Sequence, residues 1–154
     1  MKVLSGHQLI DRLGIHHFKE ASTFGALSEA AIRYLLEKGT VLHLEKEDKL
    51  FTLDDPVNSF YVILQGKITL SKPGNKGNTH IMDFIFGQDL GYVAMIALRD
   101  RSATAIATED SIALEVPCSL FYQLRETFPA DFELLLVNLS REMARRIWKT
   151  DELN

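Results

Sequence analysis

The spacing of apolar residues changes twice along the chain. Near the amino terminus apolar residues recur every three or four positions, as on one face of a helix. A helix is predicted over residues 5–19, where Gly14 interrupts the apolar face. A second helix is predicted between Ser28, which can cap its first turn, and Gly39, which suits the position after its end.

After Gly39 the chain breaks into short runs rich in β-branched and aromatic residues, separated by turn sequences. This pattern predicts strands. They cover residues 41–44, 49–53, 59–64, 67–71, 80–86, 103–108 and 111–116. Several short strands at regular spacing favour a sandwich or barrel over alternating strands and helices.

Helices return near the carboxyl terminus. One is predicted over residues 117–128, and Pro129 favours a stop and a new start. A long helix over residues 131–153 is apolar around most of its circumference at first, and then carries a stripe of Leu139, Met143 and Ile147. So wide an apolar surface must be buried on more than one side. Either a second copy of the helix covers it, giving a homodimer, or the helix folds wholly back on its own strands.

The composition is that of a soluble globular protein, and 154 residues fit one domain. The chain has 17 Lys and Arg against 21 Asp and Glu, a net charge of -4 that argues against a global positive field for DNA. No apolar run is long enough for a membrane span, and the start does not resemble a signal peptide. We therefore expect a cytoplasmic protein that binds neither membrane nor DNA directly.

The five histidines and one cysteine do not have the spacing of metal ligands. No metal site and no catalytic residues are predicted. A small cupin-like metal enzyme is the alternative from a different class.

The most informative stretch runs over residues 84–107. Gly91 precedes a short patch of helix-like composition, and Arg101 and Ser102 follow it. A glycine before a helical turn exposes backbone N–H groups, and an arginine can bind phosphate through two parallel hydrogen bonds. The pattern fits a phosphate-binding turn, but it also fits a surface turn with a solvated arginine.

At these residues the chain resembles the cyclic-nucleotide-binding domains of Crp/Fnr-type regulators and kinase regulatory subunits. The matching segments are an aromatic strand and glycine turn at 59–68, the Arg-Ser-Ala-Thr sequence at 101–104, and Met-Ala-Arg-Arg at 143–146 followed by Thr150. The resemblance implies a mainly β fold with flanking helices. It would be a single domain over residues 1–154, with a cupin-like β-roll (jelly roll) at 20–128 and a long carboxyl-terminal helix at 129–154.

The resemblance also implies a ligand site. Arg101 and Ser102 would hold the phosphate of a cyclic nucleotide such as cAMP or cGMP, assisted by backbone N–H groups near Val93 and Ala94. Gly91 would let the backbone approach the ribose. The final helix would contribute Arg146 near the pocket and Thr150 near the base, from the same chain or from the partner subunit.

Tyr92 is the main departure from the family, which has a glutamate here that accepts a hydrogen bond from the ribose. Tyrosine is a weaker acceptor, and the loss corresponds to roughly 1.5–3 kcal/mol, or about ten- to a hundredfold in affinity. The tyrosine ring could also fill ribose space. Cyclic nucleotides would then bind weakly, in another pose, or not at all.

Two functions therefore stay open. The first is a stand-alone, non-catalytic sensor, since the sequence stops at Asn154 without a helix-turn-helix. It would bind a phosphate-bearing small ligand, dimerise through the final helix and signal through a separate effector protein. The second is a vestigial pocket in a domain that serves dimerisation or interaction only.

Overall fold

A computed structural model describes residues 1–153, with side chains for residues 1–150. Its helices are α1 (Gly6–Leu13), α2 (Ile15–Lys19), α3 (Glu29–Lys38), α4 (Tyr92–Ala97), α5 (Cys118–Thr127) and α6 (Pro129–Leu153), and Ser22–Phe24 form a 3₁₀ turn. The strands are β1 (Lys2–Leu4), β2 (Thr40–Leu44), β3 (Lys49–Phe51), β4 (Ser59–Gln65), β5 (Ile68–Gly74), β6 (Gly77–Phe84), β7 (Asp89–Leu90), β8 (Thr104–Ala107) and β9 (Ser111–Pro117). Asn154, the predicted last residue of the final helix, lies outside the described residues.

The strands form two antiparallel sheets. One has the order β1-β2-β9-β4-β7 and the other β3-β8-β5-β6. A cluster of apolar side chains fills the space between the sheets, and a larger cluster lies between the first sheet and the helices. The predicted fold class, a β-roll with flanking helices and a long carboxyl-terminal helix, is confirmed.

Local geometry explains three differences from the predicted elements. Gly14 has φ +83°, so the first predicted helix is two helices, α1 and α2. The β5–β6 hairpin extends through Pro73, which pairs with Asn78, so the predicted loop shrinks to a tight turn. Strands β1 and β7 are too short, at three and two residues, to produce a periodic signal in the sequence.

The first half of α6 packs back on its own domain. Phe132, Leu135 and Leu139 are buried in the helix-side core, and Met143 packs against it. The Asn138 side chain fixes this position by donating hydrogen bonds to the carbonyls of Thr23 at 3.1 Å and Gly25 at 2.8 Å.

The predicted dimer stripe on α6 is therefore corrected. Leu139, only 1% exposed, belongs to the domain's own core and cannot face a second helix, and only Ile147 of the stripe is exposed. A different face, with Leu134 and Val137 near its start, points outward. Within the described residues, no helix is both long enough and apolar enough to cross a membrane.

Candidate functional site

A cavity of about 350 Å³ lies between α4, the β5–β6 hairpin and the loop before β8. Six of the eight predicted site residues line it: Gly91, Val93, Ala94, Arg101, Ser102 and Arg146. The structure thus brings together residues from a loop, a short helix and the final helix. The other two predicted residues, Tyr92 and Thr150, point elsewhere.

Arg101 is fixed in the cavity wall by backbone contacts on both sides. Its own N–H donates to the carbonyl of Asp55 at 2.9 Å, and its carbonyl accepts from the N–H of Asp54 at 2.8 Å. Its guanidinium donates from Nη1 to the carbonyl of Gly91 at 2.9 Å and from Nη2 to that of Ser59 at 2.7 Å. The turn that contains Asp54 and Asp55 is therefore the element that places this arginine.

Aromatic rings cover the face of the Arg101 guanidinium. Its Cζ lies 4.2 Å from the centre of the Phe51 ring and 5.6 Å from that of Tyr61. Burial, which leaves Arg101 4% exposed, lowers the pKa of the guanidinium, while Tyr61 and Glu115 act in the opposite direction. Arginine stays charged in proteins, so the wall carries a fixed positive charge shielded from water.

Gly91 makes room for this charge. It has φ +85°, and a Cβ built there would clash with Arg101 Nη1. Only glycine combines this backbone conformation with so close an approach. Gly91 therefore acts on the site by letting Arg101 reach its carbonyl and by starting α4 beside the cavity.

The Tyr92 side chain, whose ring could have filled ribose space, packs in the core. Tyr92 is 5% exposed and does not line the cavity. Its ring meets Phe60 edge-on, with centroids 5.5 Å apart, and Phe121 at 5.8 Å. Position 92 lies on the side of the six-residue helix α4 that faces the core. The family motif does not indicate which side of the helix this is.

Thr150 does not line the cavity of its own chain, so its contact with the base stays a prediction. Its hydroxyl donates to the carbonyl of Arg146 at 3.0 Å, one turn back along α6. The contact keeps the side chain on its own helix. Any approach to a ligand from Thr150 would require a change in this contact.

Arg146 connects α6 to the wall of the cavity. Its Nη2 donates to the backbone carbonyl of Asp89 at 2.9 Å, and its Nη1 lies 3.8 Å from Asp89 Oδ2. Its Cζ lies 5.0 Å from the centre of the Phe84 ring. Its Nε is buried without a hydrogen-bond partner, although Glu142 Oε1 is 3.5 Å away.

Asp89, Phe84 and Glu142 were missed as site residues. For Asp89 the available signal in the sequence is a carboxylate directly before the apolar residue Leu90. Among the described residues, no group of three or more His, Cys, Asp or Glu side chains is arranged to hold a metal ion.

The family model for the cyclic nucleotide-binding domain matches residues 41–128. This chain belongs to the cyclic nucleotide-binding domain family. The family assignment made from residues 59–68, 101–104 and 143–146 is thereby confirmed.

Solved cyclic nucleotide-binding domains share the fold. A cyclic nucleotide-binding domain from Methylobacillus flagellatus KT has a TM-score of 0.82 and 23% identity, over 98% of this chain and 85% of that one. The catabolite activator protein of Thermus thermophilus has a TM-score of 0.72 and 22% identity, over 84% of this chain and 60% of that one. At these identities the likeness establishes the fold alone.

A curated relative is much longer than this domain. Lysophospholipase NTE1 of Eremothecium gossypii is 26% identical over 161 residues, which cover 91% of this chain but 10% of that protein. The chain therefore spans about a tenth of the relative's length. The lysophospholipase activity in the relative's name belongs to that whole protein.

Proposed function

We propose that residues 1–154 act as one non-catalytic regulatory domain that binds a phosphate-bearing small ligand and signals through a partner protein. The observation that carries this proposal is Arg101, a buried arginine in the cavity wall with Ser102 beside it. A buried cation needs contacts that replace its lost hydration. A ligand anion stabilises the charge more strongly than two neutral carbonyls do. Cyclic nucleotides such as cAMP and cGMP are the first ligands to test.

Arg146 supports a route for the signal. It lines the cavity and also binds Asp89, so a ligand that contacts Arg146 competes with the contact that holds α6. A ligand can move α6 only by as much as its affinity differs between the two helix positions. Trp148, the single tryptophan of the chain, lies two residues further along α6 and can report such a shift by fluorescence.

Calorimetry of the purified chain with cAMP, cGMP and inorganic phosphate tests the proposal. Arg101→Gln and Ser102→Ala should each weaken phosphate binding about ten- to a hundredfold, because each removes a donor to the anion. Arg125→Gln, at an exposed arginine of α5 outside the cavity, is the matched control. Affinities that are equal in wild type and Ser102→Ala, which leaves the buried network intact, would contradict the proposal.

A second candidate function is a dimerisation module with a disused cavity. Exposed residues recur along α6 at intervals of three, seven and four positions, as they do on the side of a helix that pairs with another helix. They are Leu134, Val137, Ala144 and Trp148. This function predicts a dimer in sedimentation experiments without any ligand. It also predicts no change in that dimer when the ligands above are added.

A further inference from the structure

Most of the cavity wall beyond Arg101 is apolar. The residues that form it come from β3, the β5–β6 hairpin, β7, α4 and the segment before β8: Phe51, Leu70, Met82, Phe84, Leu90, Val93, Ala94, Ala97 and Ala103. Phe51, Phe84 and Leu90 are buried, so their contribution to the wall is fixed by packing in the sheet-side core. A ligand that fills this space presents most of its surface to hydrocarbon.

This wall has few partners for the hydroxyl groups of a sugar. Among the described side chains that line the cavity, the one carboxylate is that of Asp100, which is exposed on the loop before β8. The Tyr92 ring is held in the core by Phe60 and Phe121, and so offers no acceptor to the cavity. Sugar hydroxyls buried against Phe84 and Leu90 would lose water without replacement, which strongly disfavours binding.

Positive charge, in contrast, lies at three points of the same wall, one of which is Arg99, exposed on the loop before β8. Arg101 is buried beside Ser102, and Arg146 lies against the ring of Phe84 with a buried Nε that has no hydrogen-bond partner. Aromatic and aliphatic side chains fill the space around these cations. The positive charges favour a ligand with an anionic group at one end. The remaining wall favours a ligand whose other part is apolar.

We infer that the ligand of this cavity is an amphipathic phosphate, an anionic phosphate group on an alkyl or similar apolar body, instead of a nucleotide. This inference rests on the proposed function and names the ligand class for the same site. The phosphate would lie at Arg101 and Ser102, and the apolar body would lie along Leu70, Met82 and Phe84. At about 350 Å³ the cavity is near the lower end of ligand pockets, so a short chain fits better than a long one.

Titration calorimetry with n-octyl phosphate, kept below the concentration at which it forms micelles, tests the inference. Inorganic phosphate, n-octanol and cAMP are titrated in parallel into the same full chain. We expect one octyl phosphate per chain, with an affinity at least about tenfold above that of each of the other three. Quenching or enhancement of Trp148 fluorescence provides an independent measure of the same binding.

A matched pair of variants on α4 locates the binding. Ala94→Phe fills the cavity from its wall, whereas Ile96→Phe adds the same ring at an exposed position of the helix that does not line the cavity. We expect Ala94→Phe to weaken octyl phosphate binding at least about tenfold and Ile96→Phe to leave it within about twofold. Thermal unfolding of both variants checks that each is folded.

The outcomes separate this inference from the proposed function. Tight binding of cAMP with weak binding of octyl phosphate overturns the inference and leaves the proposed function standing. Equal binding of octanol and octyl phosphate removes the role of the anion and overturns both, as does the absence of binding by every compound. Octyl phosphate binding that Ala94→Phe does not weaken places the ligand outside the cavity and also overturns the inference.

Discussion

Arg146 of the final helix and Asp89 of the shortest strand form an ion pair, with Arg146 Nη1 3.8 Å from Asp89 Oδ2. The pair is largely shielded from water, since Asp89 is 2% exposed. Burial raises the pKa of Asp89 to about 6, against the attraction of Arg146, which lowers it, and with a smaller contribution from Glu142, which raises it. The contact that fastens α6 to the sheet therefore includes a carboxyl group that changes charge in mildly acidic solution.

The stability of the protein should depend on pH through Asp89. Its folded pKa lies above the ordinary value of 3.8, so the folded protein binds more protons than the unfolded chain between about pH 4 and pH 6. The Asp89 contribution to the free energy of unfolding is therefore full below pH 4 and is lost as the pH rises through about 6, a change of up to about 3 kcal/mol. Urea unfolding of Asp89→Asn and wild type from pH 4 to pH 7 measures it.

Asp89→Asn should remove this pH dependence of the free energy of unfolding. The variant should therefore gain stability relative to wild type as the pH rises. Asp100→Asn, at an exposed aspartate of the loop before β8, is the control and should keep the wild-type slope. If the stability difference between Asp89→Asn and wild type stays constant from pH 4 to pH 7, the pH dependence does not come from Asp89.

Arg146 should contribute more to stability when Asp89 is charged than when Asp89 is protonated. Arg146→Met leaves a buried carboxylate without its cation and should cost about 1–3 kcal/mol at pH 7, less than a fully buried pair because Arg146 is only partly buried. At pH 4.5 to 5, where Asp89 is largely protonated, the cost should be smaller. A double-mutant cycle with Asp89→Asn measures the coupling, and purely additive effects would mean that the two side chains do not interact.

Gly91, Arg101 and Ser102 could be predicted because a glycine before a helical turn and an arginine before a strand are visible in the sequence, and the family resemblance gave them a role. The contacts of Arg101 with the carbonyls of Asp55 and Ser59 could not be predicted, because these residues are distant in sequence. Asp89 was not found, because its burial depends on the pairing of β7 with β4, a contact between residues distant in sequence. The direction of Tyr92 stayed open for the same reason, since only the packing of α4 on the core decides which side of so short a helix faces inward.

Tyr92 should behave as a core residue in mutagenesis. Tyr92→Phe keeps the ring contacts with Phe60 and Phe121 and should stay within about 1 kcal/mol of wild type. Tyr92→Glu places a carboxylate among aromatic rings and should cost about 3 kcal/mol or more, without creating a site for a sugar hydroxyl. Chemical unfolding and cAMP calorimetry on both variants give the answer. A stable Tyr92→Glu protein that binds cAMP would show that position 92 can face the cavity.

Gly91 should matter for Arg101 beyond its backbone conformation. Gly91→Ala places an alanine at φ 85° and ψ 3° and adds a Cβ that clashes with Arg101 Nη1, whereas Gly14→Ala places one at φ 83° and ψ 145° with nothing within 4 Å of the added Cβ. Backbone strain should cost each variant about 1–3 kcal/mol, and the clash should add to the cost of Gly91→Ala. Unfolding experiments measure the difference in stability between the two variants. Loss of phosphate binding in Gly91→Ala, but not in Gly14→Ala, would show that the clash displaces Arg101. Equal costs and unchanged binding would mean that Arg101 adapts freely.

The two faces of α6 should respond differently to the same substitution. Leu139→Asp buries a charge in the domain's own core and should unfold the protein or cost about 3–5 kcal/mol, because Leu139 contacts the helix-side core. Val137→Asp, at a position that is 50% exposed, should leave the fold intact and convert a dimer to a monomer if the outward face pairs with a second copy. Sedimentation velocity with circular dichroism separates loss of fold from loss of association. A folded Val137→Asp dimer would exclude this face of the helix as the interface.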